Sequence, residues 1–132
     1  MRASLALAFA ASAELCACSQ GTAARVDTAT LGAPVYPGAV LRDQGVVTST
    51  PAGGTSVTAG FMTRDPFDAV DAFYQQQLGA KARRFRVATP KGSVSLFEIG
   101  SARDLVSVHV TVSKPSETDI LIAHVTRGSG GG

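Results

Sequence analysis

Val106, Val108, Val110 and Val112 alternate without a break with Ser107, His109 and Thr111. Successive side chains of a strand point to opposite faces, so four valines in step demand a sheet with one face buried. The segments around this run carry similar patterns. Residues 84–87, 94–99 and 120–125 read as strands, separated by turn chemistry at 89–92, 100–104 and 114–119. Strands joined by such short turns pair antiparallel, which predicts a meander over the second half of the chain. Upstream, residues 56–63 alternate well enough for another strand, and shorter extended pieces fit 39–42 and 46–48.

One helix interrupts the strands. Phe67, Val70, Tyr74 and Leu78 are spaced by three and four residues and form an apolar stripe, widened by Phe73. Asp65 is placed to cap its start, Pro66 suits the first helical position, and Asp68 sits at the positive end of the dipole. Gly79 follows the last apolar position, the usual place for a left-handed stop. The helix is expected over about 66–78. The fold class is α+β: an antiparallel sheet of five or six strands with one amphipathic helix packed on one face. At 132 residues this is one domain.

The N-terminus has a different character. Met1 and Arg2 make a short positive start, and residues 5–13 are an apolar stretch of signal-peptide length, too short to span a bilayer. The stretch runs into Leu15-Cys16-Ala17-Cys18-Ser19. This resembles the lipobox of a bacterial lipoprotein precursor: Leu, two small residues, then the cysteine that receives diacylglycerol and becomes the mature N-terminus. The resemblance implies cleavage before Cys18, with residues 1–17 as the signal peptide and Cys18 as the lipid-attachment residue. Using Cys16 instead would put the bulky Leu15 just before the cut. An ordinary signal-peptidase site or an Ala-rich helix is the competing reading, and a two-cysteine metal site would supply only half the ligands of a structural zinc. If Cys16 leaves with the signal, the mature chain has no cysteine for a disulfide, and a chain of this size needs none to hold a core. Ser19, where the resemblance would place Asp as an inner-membrane retention signal, points to the outer membrane, facing the periplasm, if the cell is Gram-negative.

Residues 18–34 are small, polar and aperiodic and read as a flexible tether, residues 35–127 as the α+β domain, and 128–132 as a disordered Gly-rich tail. A second resemblance lies inside the domain. Pro34-Val35-Tyr36-Pro37-Gly38-Ala39, then Phe61, Thr63 and Asp65, then Val70, Phe73 and Tyr74, is similar to small uncharacterised bacterial envelope proteins with a Tyr-Pro-Gly-Ala turn, a Thr-x-Asp cap and a Val-x-x-Phe-Tyr helix. It covers roughly residues 34–79 and implies a shared fold, with no catalytic residues attached.

Little in the sequence points to catalysis. Among the motifs for a nucleophile elbow, a helical zinc site, a phosphate loop or a dinucleotide fold, none is present. His109 and His124 are weak metal candidates. If Leu121, Ala123 and Val125 complete the buried set begun by the valines, both histidines fall on the outer face, opposite or diagonal to one another. They would still lack the third ligand that catalytic zinc requires. On this arrangement Ile120 and Ile122 also face outward, where they could join a partner-binding patch. Asp65, Asp68 and Asp71 fan around a helix rather than around one ion.

Lys81, Arg83, Arg84, Arg86 and Lys91 form the densest charged stretch. They are a candidate surface for an anionic envelope polymer or lipid phosphates, or else cations that keep an edge strand from pairing with another chain. A formal net charge of +2 and an exported address argue against nucleic acid. The expectation is a lipid-anchored envelope protein, held at the membrane by its acyl chains, acting as a non-enzymatic binding or structural module without a cofactor. The alternatives are a periplasmic domain holding a small apolar ligand or lipid between helix and sheet, and a metal-dependent enzyme using His109 and His124.

Overall fold

The alternating segments pair into a single antiparallel sheet. In the computed structural model, which describes residues 26–128, the strands are β1 (Val40–Ser49), β2 (Gly54–Thr63), β3 (Arg83–Thr89), β4 (Gly92–Gly100), β5 (Asp104–Lys114) and β6 (Glu117–Arg127). Their order across the sheet is β1-β2-β6-β5-β4-β3. The expected meander runs from β3 to β6, and β6 then inserts beside β2. The extended pieces at 39–42 and 46–48 are one strand, β1, whose register against β2 shifts between Leu41 and Val46. The signal peptide, Cys18 and residues 129–132 lie outside the described residues.

Helix α2 (Phe67–Leu78) carries the chain from β2 to β3. These strands stand four positions apart, a gap of about 19 Å at the usual strand spacing. A twelve-residue helix is about 18 Å long, so one helix crosses the sheet face in a single pass. Phe67, Val70, Tyr74 and Leu78 are buried beneath it, as their spacing predicts. Gly79 ends it at a positive φ of 59° and opens a 3-10 turn, Gly79–Lys81.

Two local expectations are corrected. Asp65 does not cap α2: Pro66 occupies the cap position, with no side-chain hydrogen bond to the helix. The Asp65 carboxylate instead accepts from the Tyr36 hydroxyl at 2.6 Å. Nor is the whole of 18–34 a free tether. Asp27 caps a short helix α1 (Thr28–Leu31), its carboxylate accepting from Ala29 N at 2.9 Å, and Gly32 closes the turn at a φ of 71°. Leu31 is fully buried and Ala33 nearly so, both joined to the main core. Two apolar residues with no repeat carry no periodicity, which is why the segment looks like linker in the sequence.

The core lies between the helices and one face of the sheet. Tyr74, Phe97, Val108, Ile120 and Ile122 are among its fully buried side chains. Tyr74 and Phe97 rings are 6.0 Å apart, and Tyr74 stands edge-on to Phe73, which is edge-on to Tyr36. The opposite face of the sheet has no helix over it among the described residues.

Candidate functional site

The register of β5 against β6 decides where the candidate residues stand. His109 pairs with Leu121, and Val106 pairs with His124. His109 therefore faces outward, as its valine neighbours predict, while His124 faces the helices. The two histidines are on opposite faces of the sheet and cannot share an ion. Ile120 and Ile122 are buried and Leu121 is exposed, the reverse of the arrangement expected from sequence. Residues 120–123 are apolar in both phases, so alternation alone could not choose the face. Among the described residues, no three His, Cys, Asp or Glu side chains converge in a way that could hold a metal ion.

His124 has a specific setting. Its Nδ1 lies 2.7 Å from the Thr30 carbonyl of α1, and its Nε2 lies 2.7 Å from Asp104 Oδ1 on β5. A carbonyl and a carboxylate both accept, so both ring nitrogens serve as donors when the ring is an imidazolium. The Thr30 carbonyl accordingly raises the His124 pKa above the usual histidine value; burial opposes this and Asp104 reinforces it.

The five cations near β3 do not form one surface. Arg84 and Arg86 pair with Phe97 and Ser95 on the helix-covered side of the sheet. Arg84 donates to Asp71 of α2 at 2.7 Å, and Arg86 approaches Asp71 at 3.6 Å and Asp68 at 3.2 Å. Arg83 pairs with Glu98 on the outer side, Lys81 lies in the 3-10 turn, and Lys91 sits at the β3–β4 turn. Strand alternation thus splits a charge run that is continuous in sequence.

Among the described residues Asp71 is the buried charged side chain, 2% exposed on the core side of α2. Burial alone would raise its carboxyl pKa, but the adjacent Ser95 hydroxyl and hydrogen bonds from Arg84 and Gln75 outweigh it and hold the carboxyl below the usual range. Asp71 Oδ1 and Ser95 Oγ themselves have no hydrogen-bond partner among the described residues. Asp71 fastens α2 to the β3 edge through the two arginines.

The residues of the Tyr-Pro-Gly-Ala resemblance meet in one clasp. Tyr36 donates to Asp65, Asp65 N donates to Thr63 Oγ1 at 3.2 Å, and Thr118 Oγ1 donates to the Asp65 carbonyl at 2.8 Å. Tyr74 donates to the Pro34 carbonyl at 3.1 Å. These contacts pin segment 34–38 over α2. An open groove of about 380 Å³ lies beside it, lined by Pro37, Val40, Met62 and Arg64 among others.

The outer face, offered to a partner on sequence grounds through Ile120 and Ile122, is apolar through other residues. Paired positions place Phe85, Leu96, His109 and Leu121 in one row, with Val87, Val94, Met62 and Val40 along the next. Val40, Val87, Phe85 and Leu121 are 62, 58, 51 and 42% exposed. The sequence signal for it is the double apolar phase of residues 120–123, the pattern of a strand buried on both sides. Arg42 reaches from the β1 irregularity to Glu117 and Asp119 of β6, across Gly60.

No helix among the described residues is long and apolar enough to cross a membrane. Comparison of the chain with protein-family models, with curated proteins and with solved structures finds no match.

Proposed function

We propose that the chain is a lipid-anchored cell-envelope protein, attached through Cys18, that works as a non-enzymatic binding or structural module. The observation that supports a module acting through its surface is the uncovered outer sheet face with Phe85, Val87, Leu121 and Val40 exposed. Exposed apolar surface of this kind marks an interaction site more often than a reaction site. The titratable side chains set close together, His124 with Asp104 and Asp71 with Arg84, join elements of the fold. The space between α2 and the sheet is occupied by Tyr74, Phe97, Ile120 and Ile122, which favours this reading over a ligand carried inside. The anchor rests on the lipobox resemblance of Leu15-Cys16-Ala17-Cys18.

Mass spectrometry of the N-terminal peptide, taken from the membrane fraction of a bacterial host, tests the anchor. A Cys18 carrying diacylglycerol and a further acyl chain is the expected species. A chain retaining Met1, or cut elsewhere without lipid, overturns it. A partner that crosslinks through the outer face is the second expectation.

A further inference from the structure

We propose that the outer sheet face is the interface of a homodimer, in which two copies pack face to face about a twofold axis parallel to the strands. The inference deepens the binding-module reading by naming the partner as a second copy of the chain.

Three observations carry it. The first is area. Six strands spaced by about 4.8 Å, over four outward rows repeating every ~6.7 Å, make a face of about 29 by 27 Å. That is on the order of 750 Å², close to the ~800 Å² that each partner contributes to a standard stable interface.

The second is self-complementarity. The midpoint of the order β1-β2-β6-β5-β4-β3 falls between β6 and β5. A twofold axis there lays β3 on the second copy's β1, β4 on β2, and β5 on β6, keeping rows matched. The most exposed apolar residues lie at the two outer strands and the centre; the operation sets apolar on apolar in the Val87 row, while Phe85 comes over residues 42–45 and Arg83 over Val47. Val87 comes over Val40, Val94 over Met62, and His109 over Leu121 of the second copy. Charges on the same face are balanced within each chain: Arg42 is paired with Glu117 and Asp119, and Arg83 stands beside Glu98. No like-charged pair is brought together in these rows.

The third is that the edges offer poor routes to self-association. β1 is broken by its register shift, and β3 presents Arg83, Arg84 and Arg86. Such features discourage edge-to-edge pairing. The face remains as the surface by which two copies can meet, and aligned face packing at about 30° is the ordinary geometry of two sheets. An axis along the strands also keeps both α1 helices, which pack near Val57, His124 and Val106 at one end of the sheet, on the same side of the dimer. Both chains would then run toward one bilayer.

The test uses the full chain, expressed in a bacterial host and extracted from membranes in mild detergent. Val40→Cys combined with Val87→Cys, treated with a bismaleimide that spans about 10 Å, the separation of face-packed sheets, is expected to give a covalent species of twice the chain mass. Within one copy these positions lie on opposite edges of the sheet, too far apart to join. Each single variant should stay at the background of the wild-type chain. Sedimentation should give a dimer for the wild type and a monomer for Leu121→Glu, with unchanged circular dichroism. Should Leu121→Glu misfold, Phe85→Ser replaces it, and the crosslink stands independently of both. A monomeric wild type, a dimer unaffected by Leu121→Glu, or no specific crosslink overturns the proposal. A monomer whose binding to phosphatidylglycerol vesicles is lost in Leu121→Glu overturns it in favour of a bilayer contact. The Cys18 peptide mass is read on the same sample, so a missing lipid and a missing dimer are separate results.

Discussion

His124 Nε2 lies 2.7 Å from Asp104 Oδ1 while the same ring's Nδ1 lies 2.7 Å from the Thr30 carbonyl, so one imidazolium ties helix α1 to the sheet. This clamp fixes the point where the N-terminal segment joins the folded body.

The clamp depends on charge, and its sign follows from the raised His124 pKa. A group whose folded pKa is raised adds stability that is fully present below the unfolded value of about 6.5 and lost as pH rises through the folded one. Amide protection at Leu31 and Gly32, measured relative to base-catalysed intrinsic exchange, should therefore fall on the alkaline side of that range, with little change in protection of the β5–β6 strands. The His124 ring should titrate above about 6.5 by NMR, and Asp104→Asn should lower that midpoint. A midpoint at or below the ordinary value would remove the clamp.

Asp71→Ala leaves Arg84 and Arg86 without their shared acceptor and opens space under α2. Arg84 and Arg86 remain partly solvated, so the expected loss is about 1–3 kcal/mol in urea unfolding, below the range for a fully buried pair. Because the Asp71 carboxyl is held below its usual range, its contribution is present above pH ~4 and fades as pH falls below that value. The difference between wild type and Asp71→Asn should shrink accordingly in acid.

The aromatic clasp separates packing from hydrogen bonding. Tyr74→Phe keeps the ring and loses the bond to the Pro34 carbonyl, at an expected cost of about 1 kcal/mol. Tyr74→Ala removes a fully buried ring and should cost about 3–5 kcal/mol. Tyr36→Phe, at a solvated bond to Asp65, should stay within about 1 kcal/mol. Equal losses for Tyr36→Phe and Tyr74→Ala would contradict the assigned burial.

Two glycines should respond oppositely to alanine. A Cβ on Gly32 would stand 2.6 Å from Val106 Cγ2, at a φ of 71° that disfavours it, so Gly32→Ala should loosen α1 and lower Tm. A Cβ on Gly60 would meet Arg42 Cδ at 3.7 Å and Leu121 Cδ1 at 3.9 Å, both ordinary contacts. Gly60→Ala should be neutral or stabilising by about 0.4–1 kcal/mol, through the restricted unfolded chain.

Local chemistry in the sequence determined the element types. The valine alternation at 106–112, the turns at 89–92 and 100–104, and the stripe from Phe67 to Leu78 each specify an element from residues close in the chain. What needed the tertiary structure were choices that local pattern leaves degenerate. Residues 120–123 are apolar in both phases, so the register against β5 alone sent Ile120 and Ile122 inward and left Leu121 outside. That register also parted His109 from His124. Asp65 had the position of a helix cap, yet Tyr36, 29 residues upstream, claimed its carboxylate. The run from Lys81 to Arg86 reads as one patch in sequence, but a strand sends alternate residues to opposite faces, and Asp71 captured those beneath α2. Short-range periodicity fixes what each segment is; which partner a side chain meets depends on contacts between segments far apart in the chain, and these exist only once the sheet has closed its order.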